Sequence, residues 1–348
     1  MTKRIYIYVA NSADKVISQY WLDTNKDELR LISETPAELR VMPMLISPDQ
    51  AYLYAAIRSE PFKLVSYRID ASSGALSKQA EVMSSYSMAN IGMDRSGRFL
   101  LSCSYGDDLV GVNPIRQNGL VGEMQQVVQT QRHAHAVHAS PDNSFVFVSC
   151  LGDDQIMQYR FDHKTGKLTA NNPASVATTM GSGPRHFSFS PCGDYLYVLG
   201  ETSGSVATYS YDSVTGLLTF LAETTGLPLS LFEPVAEGQR RIWATDIHLS
   251  PDGRFLYLSE VTKSIVTVLS IDSNNGLPSY QGYVEVESHP RGFNLTKDGK
   301  YLIVAGTQDT HIGLYQLESE TGFPVRVNQA STAQGANWVE VVELSGCS

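Results

Sequence analysis

Ser250-Pro251-Asp252-Gly253 comes just before Phe255-Leu256-Tyr257, and Ser190-Pro191-Cys192-Gly193 comes just before Tyr195-Leu196-Tyr197. The same order recurs as Ser47-Pro48-Asp49 before Tyr52-Leu53-Tyr54 and as Ser140-Pro141-Asp142 before Phe145-Val146-Phe147. Weaker copies are Asp94-Arg95-Ser96-Gly97 before Phe99-Leu100-Leu101 and Thr296-Lys297-Asp298-Gly299 before Tyr301-Leu302-Ile303. The third residues of these turns fall at 49, 96, 142, 192, 252 and 298, so the gaps are 47, 46, 50, 60 and 46. A period of about 40 to 50 residues marks a repeat architecture. Proline presets an early turn angle, aspartate bonds nearby amides, and glycine accepts positive φ, so each copy reads as a tight connection between two strands.

A second marker follows each strong copy and one of the weaker ones: Asp70 to Gly74, Asp162 to Gly166, Asp212 to Gly216, Asp272 to Gly276, and Glu318 to Gly322. Runs such as Ser205 to Tyr211, which alternate apolar and polar residues, lead into it. One unit is therefore four strands, and helical periodicity is nearly absent. Four strands per repeat of this length is one blade of a β-propeller. Arg4 to Ala10 matches a second strand with no first strand ahead of it, and Asn337 to Glu343 matches a first strand with nothing after it. The reading is an all-β, seven-bladed propeller, a single domain over residues 1–348, closed by pairing of the N- and C-terminal strands. Closure removes exposed sheet edges. The 60-residue gap places an insertion at 226–242, read as a lid, a subunit contact or a disordered excursion.

Composition narrows the partners. The 348 residues carry 26 Lys and Arg against 36 Asp and Glu, a net charge of −10. That balance argues against nucleic acid or an anionic membrane, which call for a basic face. No apolar run approaches the ~18 residues that span a bilayer. The start alternates like a strand and lacks the apolar stretch of a secretion signal. The four cysteines form no CxxC pair, so a reducing cytoplasm is expected, without a zinc site.

In a propeller the entry of each first strand and the exit of each second strand share one rim of the channel. The entries here hold His133, His135, His138, Arg185, His186, Asp246, His248, His289 and Arg291, and the exits hold Glu201 and Glu260. Charge at a narrow inner rim is costly unless paired or wetted. Two arginines, a histidine and a carboxylate converging there point to anion recognition with proton transfer. The plainer alternative is that Arg185 and Arg291 pair with Glu201, Asp246 or Glu260 and fasten blades together. Strand alternation sends His186 to the face opposite Arg185 and keeps His133, His138 and His248 from all facing the channel. No ligand spacing demands a metal, and the strand tyrosines read as packing between sheets.

Pro43 to Asp49, Gly183-Pro184-Arg185-His186, Ala244 to Gly253, Pro290 to Asn294, Lys300 to Ile303 and the Trp338 strand, in that order, resemble the propeller-type lactonase family. The family includes bacterial 6-phosphogluconolactonases and the fungal carboxy-muconate lactonising enzyme, and the resemblance runs over essentially the whole chain. It implies a lactonase whose channel mouth is lined by His135, Arg185, Arg291 and Glu201 as catalytic residues. His186, Asp246 and His248 join the two arginines as substrate-binding candidates. The implied partner is a phosphorylated sugar lactone, the implied cofactor is none, and the expected assembly is a monomer or weak homodimer. A lactonising enzyme, a lactonase for another sugar or diacid, and a non-catalytic binding scaffold are the alternatives. The last calls for an exposed apolar face at the rim instead of buried His, Arg and Glu.

Overall fold

The computed structural model describes residues 3–345, apart from 234–235 and 237–240. Seven four-stranded antiparallel sheets stand in a ring. Blade 1 is composite: its inner strand is Ala336–Ser345, followed outward by Lys3–Asn11, Val16–Asp23 and Glu28–Pro36. Blades 2 to 7 follow in chain order. Their inner strands are Val41–Ile46, Met88–Met93, Ala134–Ala139, Pro184–Phe189, Ala244–Leu249 and Pro290–Leu295. Helical structure among the described residues is limited to two short 3-10 turns. The expected closure is present, with Ile5 opposite Glu343 and Val9 opposite Val339. Each inner strand packs against the inner strand of the next blade, and blade 1 meets both blade 7 and blade 2.

The repeat markers explain why the blades hold together. In the Ser-Pro-Asp-Gly turns the serine hydroxyl accepts from the amide that opens the next strand, as Ser250 Oγ does from Phe255 N at 2.9 Å. In the second marker the glycine seats over the first aromatic ring of the preceding blade's second strand: Gly216 over Phe145, Gly276 over Tyr195, Gly322 over Phe255. Two residues beyond that ring a tyrosine hydroxyl donates across the blade boundary, Tyr197 to Gly276 O at 2.8 Å and Tyr257 to Gly322 O at 2.9 Å. The apolar core is correspondingly divided into clusters between neighbouring sheets, such as Phe147, Val198 and Tyr209 between blades 4 and 5.

The insertion is anchored at both flanks. Leu227, Phe232 and Ile242 are buried in the cluster shared by blades 5 and 6, and Arg241 Nε donates to Phe232 O at 2.8 Å. Residues 234–235 and 237–240 of this expected lid or contact segment lie outside the described residues.

One irregularity, invisible in the sequence, recurs in all seven blades. The inner strand carries a β-bulge at its entry. In blade 4 Ala134 pairs with Cys150 and Ala136 with Ser149, so His135 is the extra residue. By the same reading the extra residue is Ala89 in blade 3, Thr245 in blade 6 and Arg291 in blade 7. In blade 5 Arg185 and His186 together stand opposite Leu199. A bulge releases a residue from the ladder and re-aims its side chain.

Candidate active site

The mouth of the channel is built from two recurring seats. Bulge residues Ala89, His135 and Arg291 line one cavity of about 210 Å³. The residues that leave the second strands of blades 2, 3 and 5, namely Arg58, Tyr105 and Glu201, complete it with Trp243. Arg185 joins from behind: its Nε donates to Glu201 Oε2 at 3.0 Å, with the two side chains only 3% and 7% exposed. Both belong to blade 5, so this ion pair shapes the mouth and does not fasten one blade to another. Ser149 Oγ of blade 4 donates to the Arg185 carbonyl and fixes the bulge in place. Arg291 stands 5.7 Å over the Trp243 ring. The four expected catalytic residues therefore come together at one rim.

Burial, then the positive charge of Arg185, the neighbouring His186 ring, which disfavours a second imidazolium beside it, and the charges of Arg291 and Arg58 hold the His135 imidazole well below its usual pKa. It is neutral at physiological pH, the form that can accept a proton. Its ring meets Tyr105 edge-on at 5.9 Å and His186 at 5.3 Å. Burial, with repulsion from Arg40 and Arg185, likewise lowers Arg58 from its ordinary value. A guanidinium stays charged under such a shift, so Arg58 gains from an incoming anion.

The other expected residues lie elsewhere. His186, Asp246 and His248 line a second cavity of about 230 Å³, bounded by the inner strands and including His138, Trp338 and Glu340. They are not part of the rim pocket lining. The entry bulge also places His186. Because the bulge sets it beside Arg185 opposite one residue, both side chains are buried, Arg185 toward Glu201 and His186 toward Asp246. His133 has φ 60° just ahead of its strand and stacks on Tyr105 with centroids 4.3 Å apart. Glu260 is structural: its carboxylate accepts from Trp243 N and Lys263 N, both at 2.8 Å. Arg58, Tyr105 and Trp243 were not among the sequence candidates. For the first two the usable signal was position, since both immediately follow a second strand as Glu201 does.

A rim of histidine, carboxylate and guanidinium on a closed propeller defines a class of small-molecule site suited to anions and acyl chemistry. The model for lactonases of the seven-bladed β-propeller type matches residues 6–341, and the chain belongs to this family. A 6-phosphogluconolactonase of Klebsiella pneumoniae strain 342 is 36% identical over 335 residues, covering 96% of this chain and 98% of that one. The 6-phosphogluconolactonase of Erwinia tasmaniensis is 35% identical over 340 residues, covering 97% and 98%. Among solved structures, the periplasmic gluconolactonase of Pseudomonas aeruginosa superposes with a TM-score of 0.86 at 22% identity, covering 98% of this chain and all of that one. At that identity the likeness speaks to the fold.

Proposed function

We propose that the rim pocket hydrolyses 6-phospho-D-glucono-1,5-lactone to 6-phosphogluconate. The observation that carries this reading is the convergence of His135, the Arg185–Glu201 pair, Arg291 and Arg58, from four blades, on one sugar-sized cavity. The names of the full-length relatives support the choice of lactone.

His135 acts as general base. It takes one proton of water as the oxygen adds to the lactone carbonyl carbon, a contribution of about 10²–10⁴-fold. The carbonyl oxygen becomes an oxyanion facing the arginines, and such preorganised donors contribute a comparable or larger factor. The tetrahedral intermediate collapses, and the ring oxygen leaves with the proton that His135 returns. The new carboxylic acid loses its own proton to solvent. Glu201, held by Arg185, orients that guanidinium and is the second candidate base. Arg58 and Arg291 hold the phosphate, for which guanidinium is well shaped. The mouth is formed within one chain, so the reaction requires no second subunit. A cytoplasmic location belongs to the same reading, since a phosphorylated sugar does not cross a bilayer unaided.

The test is a panel of 6-phosphogluconolactone, unphosphorylated gluconolactone and carboxy-muconate at one pH, with spontaneous ring opening subtracted. The phosphorylated lactone is expected to be the best substrate. His135→Ala and Arg185→Ala are expected to lower kcat/KM at least about a hundredfold with the fold intact. Near-normal turnover in both variants would overturn the assignment.

A further inference from the structure

Behind the mouth, the channel holds a constellation that the reaction above leaves unused. Asp246 is buried at its centre. Its Oδ1 accepts from His186 Nδ1 at 2.8 Å and from Ile247 N at 3.0 Å. Its Oδ2 accepts from His248 Nε2 at 3.3 Å and from Phe293 N at 3.4 Å. Burial opposes ionisation of this carboxyl, but the charges and hydrogen bonds of His248 and His186 outweigh it and hold the group well below the usual carboxylate range. An ionised carboxylate only accepts, so the His186 proton sits on Nδ1. For His186, burial and the Arg185 charge outweigh Asp246, and its pKa falls below the ordinary value. At neutral pH the pair is an anion and a neutral imidazole whose Nε2 is bare.

That imidazole lies between the anion and the mouth. It meets His135 edge-to-face at 5.3 Å and Trp338 at 5.8 Å. Nδ1 of His135 and Nε2 of His186 are both buried without a hydrogen-bond partner among the described residues. On the mouth side, His135 faces the positive Arg58, Arg185 and Arg291, the Tyr105 ring, and Glu201, whose carboxylate is engaged by Arg185. On the channel side Asp246 is the ionised carboxylate, faced by His248 and His138, with Glu340 raised to about 7 by burial.

We propose that Asp246 and His186 are positioning residues for His135: Asp246 fixes the tautomer and tilt of His186, and its charge, one imidazole away, steadies the imidazolium formed when His135 takes a proton from water. This rests on the reading of His135 as the base. The arrangement follows the logic of a carboxylate that orients and stabilises a catalytic imidazole without being protonated itself, extended by one ring.

The test is the pH dependence of kcat and KM for 6-phosphogluconolactone from about pH 3.5 to 8, low enough to reach the acid limb of a base held well below its usual pKa, with melting curves to verify folding across that range. Asp246→Asn removes the charge at nearly constant shape. It is expected to lower kcat at least about tenfold with KM within about twofold, and to move the acid limb down by roughly half a pH unit or more. The sign follows from charge: losing a nearby anion disfavours the imidazolium, so His135 becomes a weaker base that deprotonates at lower pH. His186→Asn keeps a donor for Asp246 and deletes the ring; it is expected to lower kcat to a similar extent with KM held. A kcat within twofold of the parent, or an unmoved acid limb in Asp246→Asn, would overturn the proposal. Should Asp246→Asn fail to fold, the kcat and KM of His186→Asn decide alone. His135→Asn is measured alongside. If it retains full activity, the base assignment itself has failed. If it is inactive while the other two behave like the parent, only the positioning role has.

Discussion

Glu201 and Glu260 leave the second strands of adjacent blades one residue apart in the repeat, and that single step separates a site carboxylate from a structural one. Glu260 still belongs to its strand, opposite Ala244, and its oxygens are taken up by loop amides. Glu201 lies one residue past its strand, where its side chain reaches the mouth and meets Arg185. Arg58 occupies the same seat in blade 2, across the ring from Glu201. Its expected role is to select the phosphate. Arg58→Ala should raise KM for 6-phosphogluconolactone about ten- to hundredfold, the worth of one charged hydrogen bond, and leave turnover of unphosphorylated gluconolactone within about twofold. Parallel steady-state assays on the two lactones check this; equal losses on both would assign Arg58 to the carbonyl end. His135, Arg185, Glu201 and Arg291 were legible in the sequence because charge and imidazole stand out against the alternation of a strand. Arg58 was not, because an arginine after a strand looks like any solvated loop residue until the ring turns it inward.

At the scale of turns and strands, the second marker does more than reverse the chain. Gly216 has φ 71°, and a Cβ there would stand 2.0 Å from the Phe145 ring of the neighbouring blade. Gly216→Ala therefore meets two costs, the left-handed backbone at about 1–2 kcal/mol and the displaced ring at about 1–3 kcal/mol. The melting temperature is expected to fall by several degrees with kcat/KM nearly unchanged, because the turn is remote from the mouth; calorimetry with a parallel assay tests both halves. Turns of this kind were readable because proline, aspartate and glycine announce them chemically. The entry bulges were not. A bulge adds no characteristic residue: Ala89, His135, Thr245 and Arg291 occupy equivalent places with nothing in common. Hence counting alternate residues does not find the bulge that sets Arg185 and His186 opposite one partner.

For the whole molecule, the decisive contact joins the two ends of the chain. Val339 and Val342 of the closing strand are buried in the clusters blade 1 shares with blades 7 and 2. Removing residues 336–348 would strip blade 1 of its inner strand, expose the edge of Lys3–Asn11 and uncover both clusters. The expected outcome is loss of a single cooperative melting transition together with aggregation. A truncated chain that melts sharply at the parent temperature would show that the ring does not depend on this seam. The seven-blade count was available from sequence because the unmatched second strand and the unmatched first strand supply each other's missing half.

Since each bulge residue is excused from ladder pairing, its identity is decoupled from the integrity of its sheet. Ala89 fills one such place at the mouth with a methyl group, while His135 and Arg291 fill others with working side chains. New reactivity can thus be installed blade by blade, as tools are changed in a turret, while the barrel of strands behind it keeps its wiring.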